Sequence, residues 1–148
     1  METTGKDGDT VKLLRECDAG IKMGIESINE VLDKTKSEKL RGLLSDSRNQ
    51  HEKLQSEVSE MLRQHGDEGK SPNPMVKGMG WIKTNAMLLA EPGDATVADL
   101  MTDGSNMGVK SLSRYINQYR SADDASRRIG ERLVNIELQL TEDLRQFL

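Results

Sequence analysis

Apolar residues recur along this chain at intervals of three and four, and no segment alternates at two. That is the spacing of one helical face, not of a strand. Leu14, Cys17, Ile21, Gly24, Ile28 and Val31, widened by Leu13, Ile25 and Leu32, predict a first helix over 10–34, with Asp9 or Thr10 as its cap. Leu40, Leu44, Ser47, His51, Leu54, Val58, Met61 and Leu62 predict a second over 38–65, opened by Ser37 and closed by His65-Gly66. Residues 66–73 gather glycine, serine, proline and charge, the composition of a loop. Met75, Val76, Met79, Ile82, Ala86 and Leu89 predict a shorter helix over 75–91, begun by Pro74 and ended by Pro92-Gly93.

Two further stripes complete the pattern. Val97, Leu100, Met101, Gly104, Met107, Gly108, Leu112, Tyr115, Ile116 and Tyr119 predict a helix over 95–119 capped by Asp94. Ile129, Leu133, Ile136, Leu140, Leu144 and Phe147 predict the last, over 122–147, started by Ser121. Residues 1–8 are short polar residues among charges and read as a disordered tail, which leaves 9–148 as a single helical domain.

The halves of the chain are alike. A shift of 84 residues lays Gly20, Met23, Gly24, Ser27, Ser37, Arg48, Leu54 and Gln55 on Gly104, Met107, Gly108, Ser111, Ser121, Arg132, Leu138 and Gln139. The expected architecture is therefore an all-α, up-down four-helix bundle of two hairpins related by a pseudo-twofold axis. Such hairpins need the chain leaving the second helix to travel back along the bundle. The helix in the connection, at roughly 1.5 Å per residue, spans about 24 Å and can make that return.

Composition narrows the function. With 34% apolar and 3% aromatic residues the core must be thin, aliphatic and rich in methionine. A net charge of −4 argues against a nucleic-acid surface and gives no attraction to anionic membranes. No apolar run approaches the roughly 18 residues of a membrane span, and residues 1–10 are too polar for a secretory signal. Cys17 is the single cysteine and has no internal disulfide partner, so a reducing cytoplasm is the expected location.

Two helical hairpins joined by a long crossover, together with Asp18-Ala19-Gly20, Asp103-Gly104 and a middle helix bearing Trp81, resemble the ferritin-like bundles. The likeness is greatest to a small uncharacterised bacterial branch, a domain of unknown function. Metal-binding members of that superfamily hold two iron or manganese ions with inward glutamates and Glu-x-x-His pairs. This chain departs from them, since it has no Glu-x-x-His. His51 is the inward histidine of the second helix, but Arg48 stands three residues before it, and the matching pair in the second half is Arg132 and Asn135.

Asp18, Arg48, His51, Asp103, Arg132 and Asn135 are therefore candidates for a polar network in the core rather than for a metal centre. Asp18 is the expected partner of His51. Arg48 and Arg132 either reach inward to neutralise Asp18 and Asp103 or extend along the stripe margin to solvent. The metal alternative, an oxidase or storage site, would use Asp18, His51, Asp103 and Glu131.

Gly20 and Gly24, with Gly104 and Gly108, put small residues on one face of two helices, where they allow close helix packing or admit a bulky side chain. Cys17 lacks a basic neighbour, and the Gly-Lys-Ser at 69–71 lacks the spacing and the strand of a phosphate loop. The expected function is non-catalytic: a degenerate metal-site bundle that self-associates or binds a protein partner, with Trp81, Tyr115, Tyr119 and Phe147 available for an aromatic contact and no cofactor.

Overall fold

The computed structural model describes residues 5–70 and 87–148. Four long helices pack as two hairpins: α1 (Gly5–Leu32) with α2 (Glu38–Gln64), and α3 (Asp94–Gln118) with α4 (Asp124–Leu144), followed by a 3-10 turn at Arg145–Phe147. A short helix lies in the connection between the hairpins, with residues 87–90 helical. The remainder of the predicted 75–91 helix, Trp81 included, falls outside the described residues, as do residues 1–4.

Each terminus has a local cause. Ser37 Oγ accepts the Leu40 N–H at 3.2 Å and caps α2, as its sequence position predicts. Gly66, at φ 71°, ends that helix by turning left-handed, so that the Gly66 N–H reaches the Arg63 carbonyl and the Asp67 N–H reaches the Leu62 carbonyl. At α4 the cap is Asp123, which accepts from the Ser126 N–H at 2.8 Å, rather than the predicted Ser121.

The three other predicted caps do different work. Asp94 is the first residue of α3, behind an N-cap at Gly93, and its carboxylate accepts the Lys36 and Ser37 N–H groups at 2.8 and 2.9 Å. Asp9 accepts the Ser121 N–H and Thr10 Oγ1 accepts the Asp123 N–H, both at 2.9 Å. With its predicted caps tied to another turn, α1 runs back to Gly5, into the predicted tail.

These clasps fix helix directions. The start of α3 is tied to the α1–α2 turn, and the start of α1 to the α3–α4 turn, so α1 and α3 are antiparallel. The chain therefore leaves α2 at one end of the bundle and must enter α3 at the other. A return connection is a geometric necessity.

The clasps also reveal how the repeat is built. Thr10 and Asp94 are equivalent under the 84-residue shift, and each binds the backbone N–H of the N-cap of a second helix, Asp123 and Ser37. Buried Leu13, Leu14, Cys17 and Ile21 of α1 match buried Val97, Ala98, Met101 and Ser105 of α3 at that shift. Between α2 and α4, however, the buried faces match two residues further on: Leu40, Leu44, Ser47, Leu54 and Val58 correspond to Ser126, Gly130, Leu133, Leu140 and Leu144. Counted from the equivalent residues Thr10 and Asp94, α3 runs two residues further than α1 before a turn of the same length, 119–123 against 33–37. The identities Arg48–Arg132 and Leu54–Leu138 are out of structural phase, which is why Leu54 is buried and Leu138 is 47% exposed.

Two apolar clusters form the core. One contains Leu13, Leu14, Cys17, Ile21, Leu54, Val58, Leu62, Leu112, Ile129 and Leu133, and the other Ile28, Val31, Leu40, Leu44, Leu88, Val97, Met101, Leu140 and Leu144. Tyr115 and Tyr119 stack on each other, centroids 6.2 Å apart, and pack against the first cluster; Phe147 packs against the second. All three rings are half-buried. Met107 and Gly104, predicted inward, are exposed.

Asp94→Ala removes one acceptor from two backbone donors. It should destabilise the bundle by about 1.5 kcal/mol, measured by urea unfolding, without changing helix content.

Candidate functional site

Between the two apolar clusters every helix interrupts its stripe: Gly24 in α1, Ser47 and His51 in α2, Ser105 and Gly108 in α3, Glu137 in α4. The residues of this waist meet. His51 has no exposed surface, and its Nε2 lies 2.6 Å from Glu137 Oε1, itself 8% exposed. The other ring nitrogen, Nδ1, lies 2.7 Å from the Ser47 carbonyl. A carbonyl only accepts, so Nδ1 carries hydrogen, and Nε2 faces the carboxylate.

Burial pushes the His51 pKa down, but the hydrogen bond and charge of Glu137 and the Ser47 carbonyl outweigh it, and the net shift is upward. These surroundings favour the protonated ring more than water does, and the buried pair bridges the two hairpins.

Gly24 makes room for it. A Cβ there would stand 2.7 Å from His51 Nε2 and 2.9 Å from Cδ2, closer than side chains approach. At Gly108 the added carbon would meet Glu137 Cγ at 3.7 Å, an ordinary contact. The glycines therefore flank a base and an acid, and the side chain they admit is a histidine ring, not a second helix backbone. Gly20 faces Leu133 Cδ2 at 3.8 Å, and Gly104 faces nothing within 4 Å, so neither brings helices together.

The other predicted residues lie elsewhere. Asp18 is buried, but it accepts from Lys22 Nζ at 2.7 Å and from the Lys70 N–H at 2.9 Å, six residues and about 9 Å along α1 from Gly24. With Arg15–Asp67 at 3.2 Å and the Glu16–Lys70 ion pair, it fastens the chain after α2 onto α1. Arg48 donates to Asn29 Oδ1 at 2.9 Å, and Arg132 forms a two-pronged pair with Glu57 at 2.9 and 2.7 Å. Both arginine heads are at the surface, so the inward guanidinium network is not formed. Asp103, Glu131 and Asn135 are exposed.

Glu137 is the residue of this buried pair that sequence reasoning missed. Its signal was present, since it falls in the gap between Leu133 and Leu140 on one helical face. The 84-residue shift pointed to Asn135 as the partner of His51's position. The true correspondence is 86, the separation of the pair itself.

A di-metal centre does not fit these residues. The waist supplies one imidazole and one carboxylate, each bonded to the other, and among the described residues no three His, Cys, Asp or Glu side chains converge. Cys17 is equally unsuited to chemistry, its pKa raised to about 12 by burial and by the charges of Glu16 and Asp18. Two open hollows, about 530 and 220 Å³, share Ile116 and Asn117 between α3 and α4, and neither His51 nor Glu137 lines them. No described helix is long and apolar enough to cross a membrane. No family model matches this chain, and no curated protein or solved structure does.

Gly24→Ala should cost about 3 kcal/mol, because the ring must move off and leave a buried charge unpaired. Gly108→Ala should instead be neutral or add about 0.5 kcal/mol, the helical advantage of alanine. Chemical denaturation of the two variants separates these outcomes.

The pair also makes stability depend on pH. The folded His51 pKa exceeds its ordinary 6.5, so its contribution is complete below that pH and fades as pH rises through the folded value. Unfolding free energy should fall above pH 6.5 with a slope of up to about 1.4 kcal/mol per pH unit, and His51→Gln should abolish that part of the slope.

Proposed function

We propose that this chain is a non-catalytic, ferritin-like bundle that acts through its outer surface by associating with copies of itself. The observation that carries the reading is the closed waist. At mid-bundle, His51 Nε2 bonds to Glu137 Oε1, and the Ser47 carbonyl takes the remaining ring N–H. Asp18 is bonded to Lys22 and the Lys70 backbone. Among the described residues the buried ionisable groups His51, Glu137 and Asp18 are each bonded to another group, the buried hydroxyls of Ser47, Thr102 and Ser126 have no partner, and a thiol as basic as Cys17 is no nucleophile at neutral pH.

The likeness to ferritin-like bundles belongs to this reading. It is supported by the order of two antiparallel hairpins with a return connection, and by the inward place of His51 and Glu137 in the bundle core, where metal ligands project in that superfamily. In this chain a proton-bridged pair takes that place. What remains for function is the outside of the helices.

Sedimentation velocity from low to high micromolar concentration, with elemental analysis of protein purified without chelator, tests the proposal. Reversible, concentration-dependent association without stoichiometric transition metal is expected. A monomer throughout the range overturns it, as does stoichiometric iron, manganese or zinc that is lost in His51→Ala.

A further inference from the structure

The outward face of α3 carries Asp99, Asp103, Met107, Lys110 and Arg114, all exposed and spaced by four, four, three and four residues. That spacing places them in one row along the helix. The row is acidic in its first half and basic in its second, with an exposed methionine between. Met107 shows 65% of its surface, among the largest exposures of an apolar side chain in the described residues.

Turned end for end, the row matches itself. If a second α3 lies antiparallel on the first with a twofold axis between residues 106 and 107, Asp99 meets Arg114 of the other copy and Asp103 meets Lys110. Both pairs close at the same register, and each is made twice by symmetry. Met107 then falls beside the axis, where its apolar surface meets that of its counterpart.

Two further observations favour an intermolecular partner. Among the described residues, Asp99, Asp103, Lys110 and Arg114 enter no ion pair within the chain. The equivalent row of α1, by contrast, is engaged: Arg15 pairs with Asp67, and Glu26 and Glu30 have partners of their own. Gly104, next to Asp103 and one turn before Met107, is an interior helix glycine whose missing Cβ would meet nothing within 4 Å among the described residues. Such a glycine is unfavourable in a helix unless something approaches it closely.

We infer that the α3 row is the seam of an antiparallel homodimer, Met107 against Met107 with Asp99–Arg114 and Asp103–Lys110 pairs on both sides. This rests on the self-association reading above and names its surface. A single-helix seam with rim ion pairs is small and salt-sensitive, so the dimer belongs to the weak, reversible class.

Charge reversal tests it on the full chain. Asp99→Lys with Asp103→Lys makes the row wholly basic, Lys110→Glu with Arg114→Glu makes it wholly acidic, and all four positions are exposed. Each double variant alone should lose at least about tenfold in dimer affinity by sedimentation, and a one-to-one mixture should recover association as a heterodimer. Met107→Cys should form a disulfide-linked dimer on mild oxidation. Association that persists unchanged in both double variants overturns the seam while leaving self-association standing. A wild-type chain that stays monomeric overturns both.

Discussion

The bundle is organised around one buried contact, the 2.6 Å bond between His51 and Glu137. It joins the second helix of one hairpin to the second helix of the other, at the level where all four apolar stripes are broken. A pair of this kind contributes little net stability over apolar packing, because desolvating both partners offsets most of their attraction. Its effect is on alternatives. Sliding one hairpin by a helical turn would leave an imidazolium or a carboxylate alone in the core, at a cost of about 3–5 kcal/mol. The two hairpins are thereby held in a single register.

The contact also shows how two similar halves have diverged. His51 and Glu137 occupy equivalent places in the repeat, as Gly24 and Gly108 do beside them. Identical residues at such a place would bring like charges together in a dry core. One half carries the base and the other the acid, and the repulsion becomes a bond. Elsewhere the repeat keeps its devices. Thr10 and Asp94 each take the N–H of an N-cap residue on the opposite turn, so both ends of the bundle are clasped by the same arrangement.

Charges outside the waist are handled in two ways. On the α1–α2 side several are paired within the chain: Arg15 with Asp67, Lys70 with Glu16, Asp18 with Lys22 and the Lys70 backbone, Arg48 with Asn29. On the outer row of α3 acidic residues occupy the first half and basic residues the second, and none of the four is paired among the described residues.

Much of this was legible in the chain. Periodicity determined four long helices, the broad course of the inner stripes of α2 and α4, the inward place of His51, and the stop at His65-Gly66, because burial and left-handed geometry leave their mark on neighbouring residues. Tertiary structure alone decided the partners. Asp18 and Glu137 are both carboxylates on buried faces, and only packing selects which one reaches the imidazole. Two extra residues in α3, invisible to an ungapped comparison, moved the equivalence from Asn135 to Glu137 and carried Arg132 to the surface. Local sequence sets the face a residue takes on its helix; the rotation and height of one helix against another, which follow from the packing of all four, set what that residue touches.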